Sequence, residues 1–277
     1  MGASVTIMAE AADRIARWIV EPRADDDKYS RGVLGVITGS AAYPGAAVLG
    51  VEGAVRTGLG MVRYLGPQDA AWLVLQRRPE IVTVSGRVQA WLLGSGMDAA
   101  ARTLESTAAI REALAQGVPS VVDAGALDLL DAAEGHVVIT PHHRELARLL
   151  GTAQVSEIAE QPGIWAQRAA RELGVTVVLK GSTTQIAASD GRLHSVSGTP
   201  GWLATAGSGD VLAGILGALL ATHASMIEAD PSVITDLAET AVSLHAEAAR
   251  HASGGAPIAA LDIAEAIPAV IRLAASR

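Results

Sequence analysis

The sequence predicts an α/β protein with a mostly parallel central sheet and helices on both faces. Two observations carry this. From residue 33 to residue 180, short β-branched runs alternate with longer helical patterns, the order that crossover units produce. The composition also suits close packing of helices on a sheet: half of the 277 residues are apolar, Phe is absent and Ala and Gly abound. No internal repeat, low-complexity tract or long linker divides the chain. The expected organisation is an N-terminal helix and acidic linker over 1–30, then one domain over 31–277.

In chain order, Ala9 to Val20 reads as a helix, followed by Asp25-Asp26-Asp27. Candidate strands are Val33–Thr38, Met61–Leu65, Ile81–Val84, Ala90–Leu93, Ser120–Asp123, Val137–Thr140 and Val175–Lys180. The helical patterns between them are Gly45–Thr57, Asp98–Gln116, Ala126–Ala133, His142–Leu150 and Ile164–Leu173. After Lys180 the pattern changes. Thr184–Ala188 and Leu193–Val196 flank Ser189-Asp190-Gly191, which predicts a hairpin and an antiparallel edge. The last third reads as helices over Val211–His223, Ser232–His251 and Leu261–Leu273, the last kinked or broken at Pro268.

Composition removes several function classes. Without Cys there are no disulfides, thiolate metal sites or cysteine nucleophile. The net charge is −8 and the longest basic run is Arg77-Arg78, which argues against a nucleic-acid surface. Val211 to Ala221 is too short to span a bilayer. Met1 to Val20 contains Glu10 and Asp13 and lacks the basic start of a secretory signal. A soluble, cytoplasmic protein without membrane contact is expected.

Ligands of such sheets sit beyond the carboxyl ends of the strands. The polar residues expected there are Thr38-Gly39-Ser40, Asp123, Thr140 and Lys180. They would converge on the glycine-rich stretch Gly207-Ser208-Gly209-Asp210, which opens the apolar helix from Val211. Free N–H groups at a helix start form an anion site. A carboxylate beside one, Asp210, suits a base that takes a proton from a hydroxyl about to meet a phosphoryl group. The competing reading makes Ser208 an N-cap and Asp210 a complement to the helix dipole.

Lys180 is one of only two lysines and ends a strand. It reads either as a nucleotide contact, followed by the turn Gly181-Ser182-Thr183-Thr184, or as a solvated strand end. Neither glycine-rich stretch has the spacing of a P-loop. Thr140-Pro141 marks a helix start with Thr140 as N-cap, and places His142 and Glu145 in the first turn. Adjacent His142 and His143 point apart on a helix, so no metal triad is expected.

In this order, the motifs resemble the NAD(P)H-hydrate dehydratases of the ribokinase-like superfamily, from about Gly35 to about Leu220. They are Gly39-Ser40 with Tyr43-Pro44-Gly45-Ala46, then Gly94-Ser95-Gly96, then Asp123-Ala124-Gly125-Ala126-Leu127. Thr140 to Glu145, Leu179 to Thr184, and Gly198 or Pro200 onward to Asp210 follow. Four departures stand out: Gly125 replaces an acidic residue, Ala206 replaces a glycine, Ser95 replaces a proline, and His143-Arg144 replace a Pro-Gly pair between His142 and Glu145.

The resemblance implies a ribokinase-like three-layer sandwich and an ADP-dependent lyase of nicotinamide nucleotide repair. Its substrate would be the S form of C6-hydrated NADH or NADPH. Asp210 would be catalytic, and Mg²⁺ would accompany ADP. Lys180, Gly181, Ser182, Thr183, Thr184, Gly207, Ser208 and Gly209 would contact the nucleotide. Ala46, Gly96, His142 and Asp210 would line the hydrate site, with Asp123 and Glu145 as further candidates. A homotetramer and a separate hydrate epimerase as functional partner are also implied. A vitamin-precursor kinase of the same superfamily and a nucleotide-binding regulator without turnover stand as alternatives.

Overall fold

The computed structural model describes residues 2–151 and 154–276. Its strands are β1 (Val33–Ile37), β2 (Met61–Tyr64), β3 (Ala90–Leu93), β4 (Ser120–Val122), β5 (Val137–Ile139), β6 (Thr176–Leu179), β7 (Thr184–Ala187) and β8 (Leu193–Val196). They form one eight-stranded sheet in the order β2-β1-β3-β4-β5-β6-β7-β8. All neighbours from β2 to β6 are parallel, whereas β7 and β8 run antiparallel as the predicted hairpin.

The helices are α1 (Gly2–Trp18), α2 (Gly45–Thr57), α3 (Gln68–Arg77), α4 (Leu104–Leu114), α5 (His143–Leu150), α6 (Val155–Glu160), α7 (Pro162–Leu173), α8 (Ser208–Thr222), α9 (Ala224–Ala229), α10 (Val233–Ser253) and α11 (Ala260–Ala275). The sheet alternates its side chains between two cores. Leu34, Val36, Leu92, Val121, Val138 and Val178 face one core with residues of α2, α8, α10 and α11. Val33, Ile37, Leu93, Val122, Ile139 and Val177 face the other, with α4, α5 and α7. This is the three-layer arrangement that buried parallel strands require.

Small residues set the spacing of the first layer. A Cβ on Gly214 of α8 would lie 2.0 Å from the Gly50 carbonyl oxygen, and one on Gly53 of α2 would lie 2.5 Å from that of Val211. The two backbones touch, which places the start of α8 against the middle of the sheet. The N-terminal helix docks on the same layer. Ile15 is buried, and Arg14 pairs with Glu239 of α10 at 2.8 Å.

Several expected elements differ. Ile81–Val84 is not a strand: Val82 alone forms a bridge, to Arg63, between the Pro79-Glu80 turn and a bend at Val84. The expected helix over Asp98–Gln116 shortens to α4, which starts after Thr103 accepts from the Ser106 N–H. Residues Ala124–Ala132 form a 3-10 helix rather than the α-helix expected at Ala126–Ala133. Pro268 does not break α11, because buried Ile263, Ile267 and Val270 anchor the helix on both sides of it. Helices α3, α6 and α9 were not expected; α6 and α9 are only six residues each.

Candidate active site

Five adjacent parallel strands end on one edge of the sheet, and their next residues are Thr38, Gly94, Asp123, Thr140 and Lys180. Thr140 is not the N-cap of α5, as its sequence suggested. It is buried, and its hydroxyl donates to Asp123 Oδ1 at 2.7 Å. Ser95 donates to Asp123 Oδ2 at 2.9 Å, and the Lys180 ammonium to Oδ1 at 3.0 Å. Asp123 thus gathers donors from the ends of β3, β5 and β6.

This pair is electrostatically settled. Burial works against charge on Asp123, but Lys180 and the hydroxyls of Thr140 and Ser95 hold its carboxyl below the usual aspartate range. Burial likewise opposes the charge on Lys180, while Asp123, Glu145 and Asp210 raise its pKa. Lys180 is therefore a held cation at the crevice, not a solvated strand end.

Facing these strand ends is the start of α8. Its N-cap is Gly207, in the left-handed region at φ 88°, so Ser208 is the first helical residue rather than the cap. A Cβ at Gly207 would also meet Leu49 at 2.4 Å. Only glycine suits this position. Ala206 does not have positive φ, so its replacement of a glycine is sterically harmless. The Ser208 N–H reaches the Thr205 carbonyl at 3.4 Å, and its hydroxyl donates to Leu203 at 2.9 Å. Among the described residues, the N–H groups of Gly207 and Gly209 have no partner. Lys180 Nζ lies 3.5 Å from the point where a Gly209 Cβ would sit.

Asp210 lies in this first turn, half-buried, and its carboxylate accepts no hydrogen bond among the described residues. Burial pushes its carboxyl up to about 7, the charge of Asp123 pushes the same way, and Lys180 opposes both. A carboxyl titrating near neutrality beside free N–H donors and a fixed ammonium is equipped to move a proton next to an anion.

The comparisons agree with this geometry. The family model described as NAD(P)H-hydrate dehydratase matches residues 34–269. The chain belongs to the NAD(P)H-hydrate dehydratase family. It is 38% identical over 285 residues to a bifunctional NAD(P)H-hydrate repair enzyme of Corynebacterium glutamicum, covering 90% of this chain and 48% of that protein. It is 36% identical over 230 residues to an ADP-dependent (S)-NAD(P)H-hydrate dehydratase of Neisseria meningitidis, covering 76% of this chain and 77% of that one. The chain thus spans about half the length of the bifunctional relatives it matches first. Its fold is similar to that of the ADP/ATP-dependent NAD(P)H-hydrate dehydratase of Bacillus subtilis, co-crystallized with ATP/Mg²⁺. The TM-score is 0.81 at 26% identity, covering 94% of this chain and 96% of that one.

The remaining residues that the dehydratase motifs singled out fall around the same crevice. Ala46 and Gly96 touch: a Cβ on Gly96 would lie 2.3 Å from that of Ala46. Ser40 fixes this wall by donating to the Gly96 carbonyl at 2.8 Å. His142 is the N-cap of α5, not a first-turn residue: its Nδ1 accepts from the Glu145 N–H at 3.2 Å, and Glu145 Oε2 accepts the His142 N–H at 2.8 Å. The His142 Nε2 lies 3.6 Å from Glu145 Oε2, so both ring nitrogens face Glu145. His142 bridges to Lys180 through the backbone, and the His143 ring packs toward the following turn, its Nε2 3.4 Å from where a Gly181 Cβ would sit. Thr199 closes the far side of that turn by donating to the Ser182 carbonyl at 3.3 Å.

Gly125 is explained by space. A Cβ there would lie 2.5 Å from the Met97 backbone, so the acidic side chain of the family pattern has no room in this turn. Outside the crevice, His194, Asp236 and Glu239 offer ligand atoms within 4.8 Å of one another. The two oxygens of Glu239 are already bound, to Arg14 and to His194 Nδ1. Among the described residues, no helix is long and apolar enough to cross a membrane.

Sequence reading missed the role of Ser95, a buried donor to Asp123, because a serine between glycines resembles any loop. It also missed Glu52, fully buried among Arg56, Arg77 and Arg78, which ties α2 to α3. The single charge in the apolar run Val48 to Val55 was the available signal.

Proposed function

We propose that this chain is an ADP-dependent lyase that returns (6S)-hydrated NADH or NADPH to the reduced cofactor, with release of AMP and phosphate. The observation that carries the reading is Asp210: an unpartnered carboxyl raised to about 7, beside the free N–H groups of Gly207 and Gly209 and the Lys180 ammonium.

In this mechanism Asp210 takes the proton of the C6 hydroxyl as its oxygen attacks the β-phosphorus of ADP. The bond from that phosphorus to the α–β bridging oxygen breaks, and AMP leaves. The developing charge on the phosphoryl oxygens meets the amides of Gly207 and Gly209. The lone pair of the ring nitrogen then expels phosphate from C6, and loss of a C5 proton completes the C5–C6 double bond.

Lys180 and the turn Gly181 to Thr184, with Gly207, Ser208 and Gly209, contact the nucleotide in this reading. Ala46, Gly96 and His142 line the hydrate site. Glu145 orients His142, and Asp123 fixes Lys180. Every donor-facing oxygen of Asp123 is occupied, so the residues do not form a carboxylate cage for Mg²⁺. They fit an ion that enters with the nucleotide and keeps phosphate and water ligands, spreading the phosphoryl charge.

ADP is proposed as the productive donor over ATP. The Lys180–Thr184 turn and Gly209 hold AMP at one depth, which leaves one phosphoryl group in the cradle. An extra phosphate would displace the reacting atoms, and even about 1 Å costs on the order of 10²-fold in rate. The Neisseria relative is named ADP-dependent, whereas the Bacillus neighbour is named ADP/ATP-dependent. Chemically hydrated NADH is therefore assayed with ADP freed of ATP and with ATP freed of ADP, following the return of reduced-nicotinamide absorbance. Recovery with ADP is expected. Equal or higher kcat/KM with ATP would overturn the depth argument, and no recovery with either would leave a small-molecule kinase as the better reading.

The same proposal takes the enzyme as cytoplasmic and tetrameric, working with a hydrate epimerase, and takes residues 31–277 as the catalytic unit. Exposed Trp72, Leu73 and Leu104 supply apolar surface for self-association, which light scattering in solution measures.

A further inference from the structure

Away from the crevice, the edge strand of the sheet and the long helix behind it bring metal-ligating side chains together. Strand β8 alternates exposed and half-buried residues: Leu193 and Ser195 face outward, whereas His194 and Val196 turn inward. Val196 packs on the core that α10 helps to form, so His194 points toward that helix. On α10, Asp236 and Glu239 stand three residues apart and share the face that meets it. One ligand atom from each of His194, Asp236 and Glu239 lies within 4.8 Å of the other two.

The cluster holds an unspent charge. Arg14 pairs with Glu239 Oε1 at 2.8 Å and also donates to the Ser243 hydroxyl at 3.3 Å, which fixes one oxygen of a buried glutamate. The other oxygen, Oε2, stands 2.6 Å from His194 Nδ1, with a hydrogen between them. The Asp236 carboxylate has no hydrogen-bond donor or ion-pair partner among the described residues; its main-chain carbonyl takes the Thr240 hydroxyl at 2.7 Å. One arginine therefore offsets one of two neighbouring carboxylates.

We propose that His194, Asp236 and Glu239 form a Zn²⁺ site that staples the edge hairpin to α10. Imidazole and carboxylate together suit zinc, whereas Mg²⁺ and Ca²⁺ favour oxygen ligands alone. The ion takes the place of the hydrogen between His194 Nδ1 and Glu239 Oε2. Asp236 supplies the third bond, and Arg14 stays on Oε1 as an outer partner. Zinc bonds of about 2.0–2.2 Å set ligand atoms roughly 3.3–3.5 Å apart around a tetrahedron. The His194–Glu239 pair must widen slightly from 2.6 Å, and Asp236 must draw in from at most 4.8 Å. Half-buried side chains reach both by small rotations, and the same exposure leaves the fourth position to water. The site is independent of the dehydratase reading. The hairpin it holds begins at Thr184, directly after the turn that follows Lys180, and His194 pairs with Ile186 across it.

The test strips the protein of metal with a chelator, then titrates it with Zn²⁺ by calorimetry and with Co²⁺ by visible absorbance. One Zn²⁺ per chain is expected, with Co²⁺ giving the intense visible bands of a four- or five-coordinate site. Tm should rise by about 4–6 °C at free zinc about 100-fold above Kd, and Mg²⁺ should not reproduce the rise. His194→Gln and Asp236→Asn each remove one ligand at a half-buried position. Each should weaken zinc binding by at least about 10- to 100-fold, since even outer partners of a metal are worth that much. No zinc binding by the parent, unchanged affinity in either variant, or an equal rise of Tm with Mg²⁺ would overturn the proposal. The metal-free Tm of each variant shows whether it folds; if one does not, the affinity of the other decides.

Discussion

Two aspartates face the same crevice and have opposite fates. Asp123 ends a strand inside the sheet, where Ser95, Thr140 and Lys180 from flanking strand ends all donate to it, and its carboxyl sits below the usual range. Asp210 opens a helix among glycines, whose side chains offer no donors, and its carboxyl rises to about 7. One side chain in two settings gives an anchor and a base. The difference lies in what the neighbouring elements bring: parallel strands deliver polar ends side by side, whereas a glycine-rich helix start leaves main-chain N–H groups for a ligand.

The sharpest way to break this contrast is Asp210→Asn. Loss of a positioned base should lower kcat by about 10²- to 10⁴-fold, while calorimetry shows ADP bound as well or tighter. In the parent enzyme, kcat/KM should climb through about pH 7 as Asp210 ionises. Stability should move the other way. The folded carboxyl keeps its proton to about 7, whereas the unfolded one loses it near 3.8, so the folded state binds more protons in that window. Stability therefore falls as pH rises from about 4 to about 7 and then levels. The asparagine variant lacks this loss. After discounting for the solvent around a half-buried group, the gain is about 1–2 kcal/mol, roughly 2–8 °C in Tm at pH 8, vanishing below about pH 4. A Tm difference that stays constant across pH would refute the assignment of the raised carboxyl to Asp210.

The anchor is tested by Asp123→Ala, which strands the buried Lys180 charge. The expected destabilisation is about 3–5 kcal/mol, read by denaturant unfolding. Asp123→Asn sharpens the coupling between the two sites. Its lost charge no longer raises Asp210, and Lys180 acts on Asp210 unopposed, so the pH–rate midpoint should move below about 7. An unmoved midpoint would show that burial alone sets Asp210.

Lys180→Ala comes next in size. Losing a charged contact should weaken ADP binding by about 1.5–3 kcal/mol, roughly 10- to 150-fold in Kd. Unchanged affinity in calorimetry would make Lys180 purely the partner of Asp123.

The two regions also differed in how far the sequence revealed them. The five parallel strands from β1 to β6 other than β2 were legible because each is a short, fully buried run, and their polar ends named Asp123, Thr140 and Lys180 in advance. Ile81–Val84 misled because β-branched residues make a strand only where a neighbour pairs along their length, and here only Val82 bridges. Thr140-Pro141 resembled a helix start, but the hydroxyl found a stronger acceptor in Asp123 and the cap passed to His142. The start of α8 was legible as an anion site from its glycines.

The smallest expected effect concerns the turn that carries the anchor. Ala124 is the only non-glycine residue with positive φ among those described, at 44°. It follows Asp123 and precedes Gly125, whose carbonyl accepts from Arg102, itself paired with Asp128 at 2.9 Å. A Cβ at Gly94 would lie 2.3 Å from the Asp123 carbonyl oxygen, so the turn is clamped from that side as well. The left-handed conformation costs alanine about 1–2 kcal/mol. Ala124→Gly removes that strain but adds freedom to the unfolded chain, worth about 0.4–1 kcal/mol against it. The net expectation is a gain of about 0.5–1 kcal/mol, roughly 1–4 °C in Tm, with kcat and the pH–rate midpoint unchanged because three donors still hold Asp123. If instead the midpoint moves or stability falls, the strained alanine holds Asp123 in place. The anchor would then depend on backbone strain as much as on its three donors.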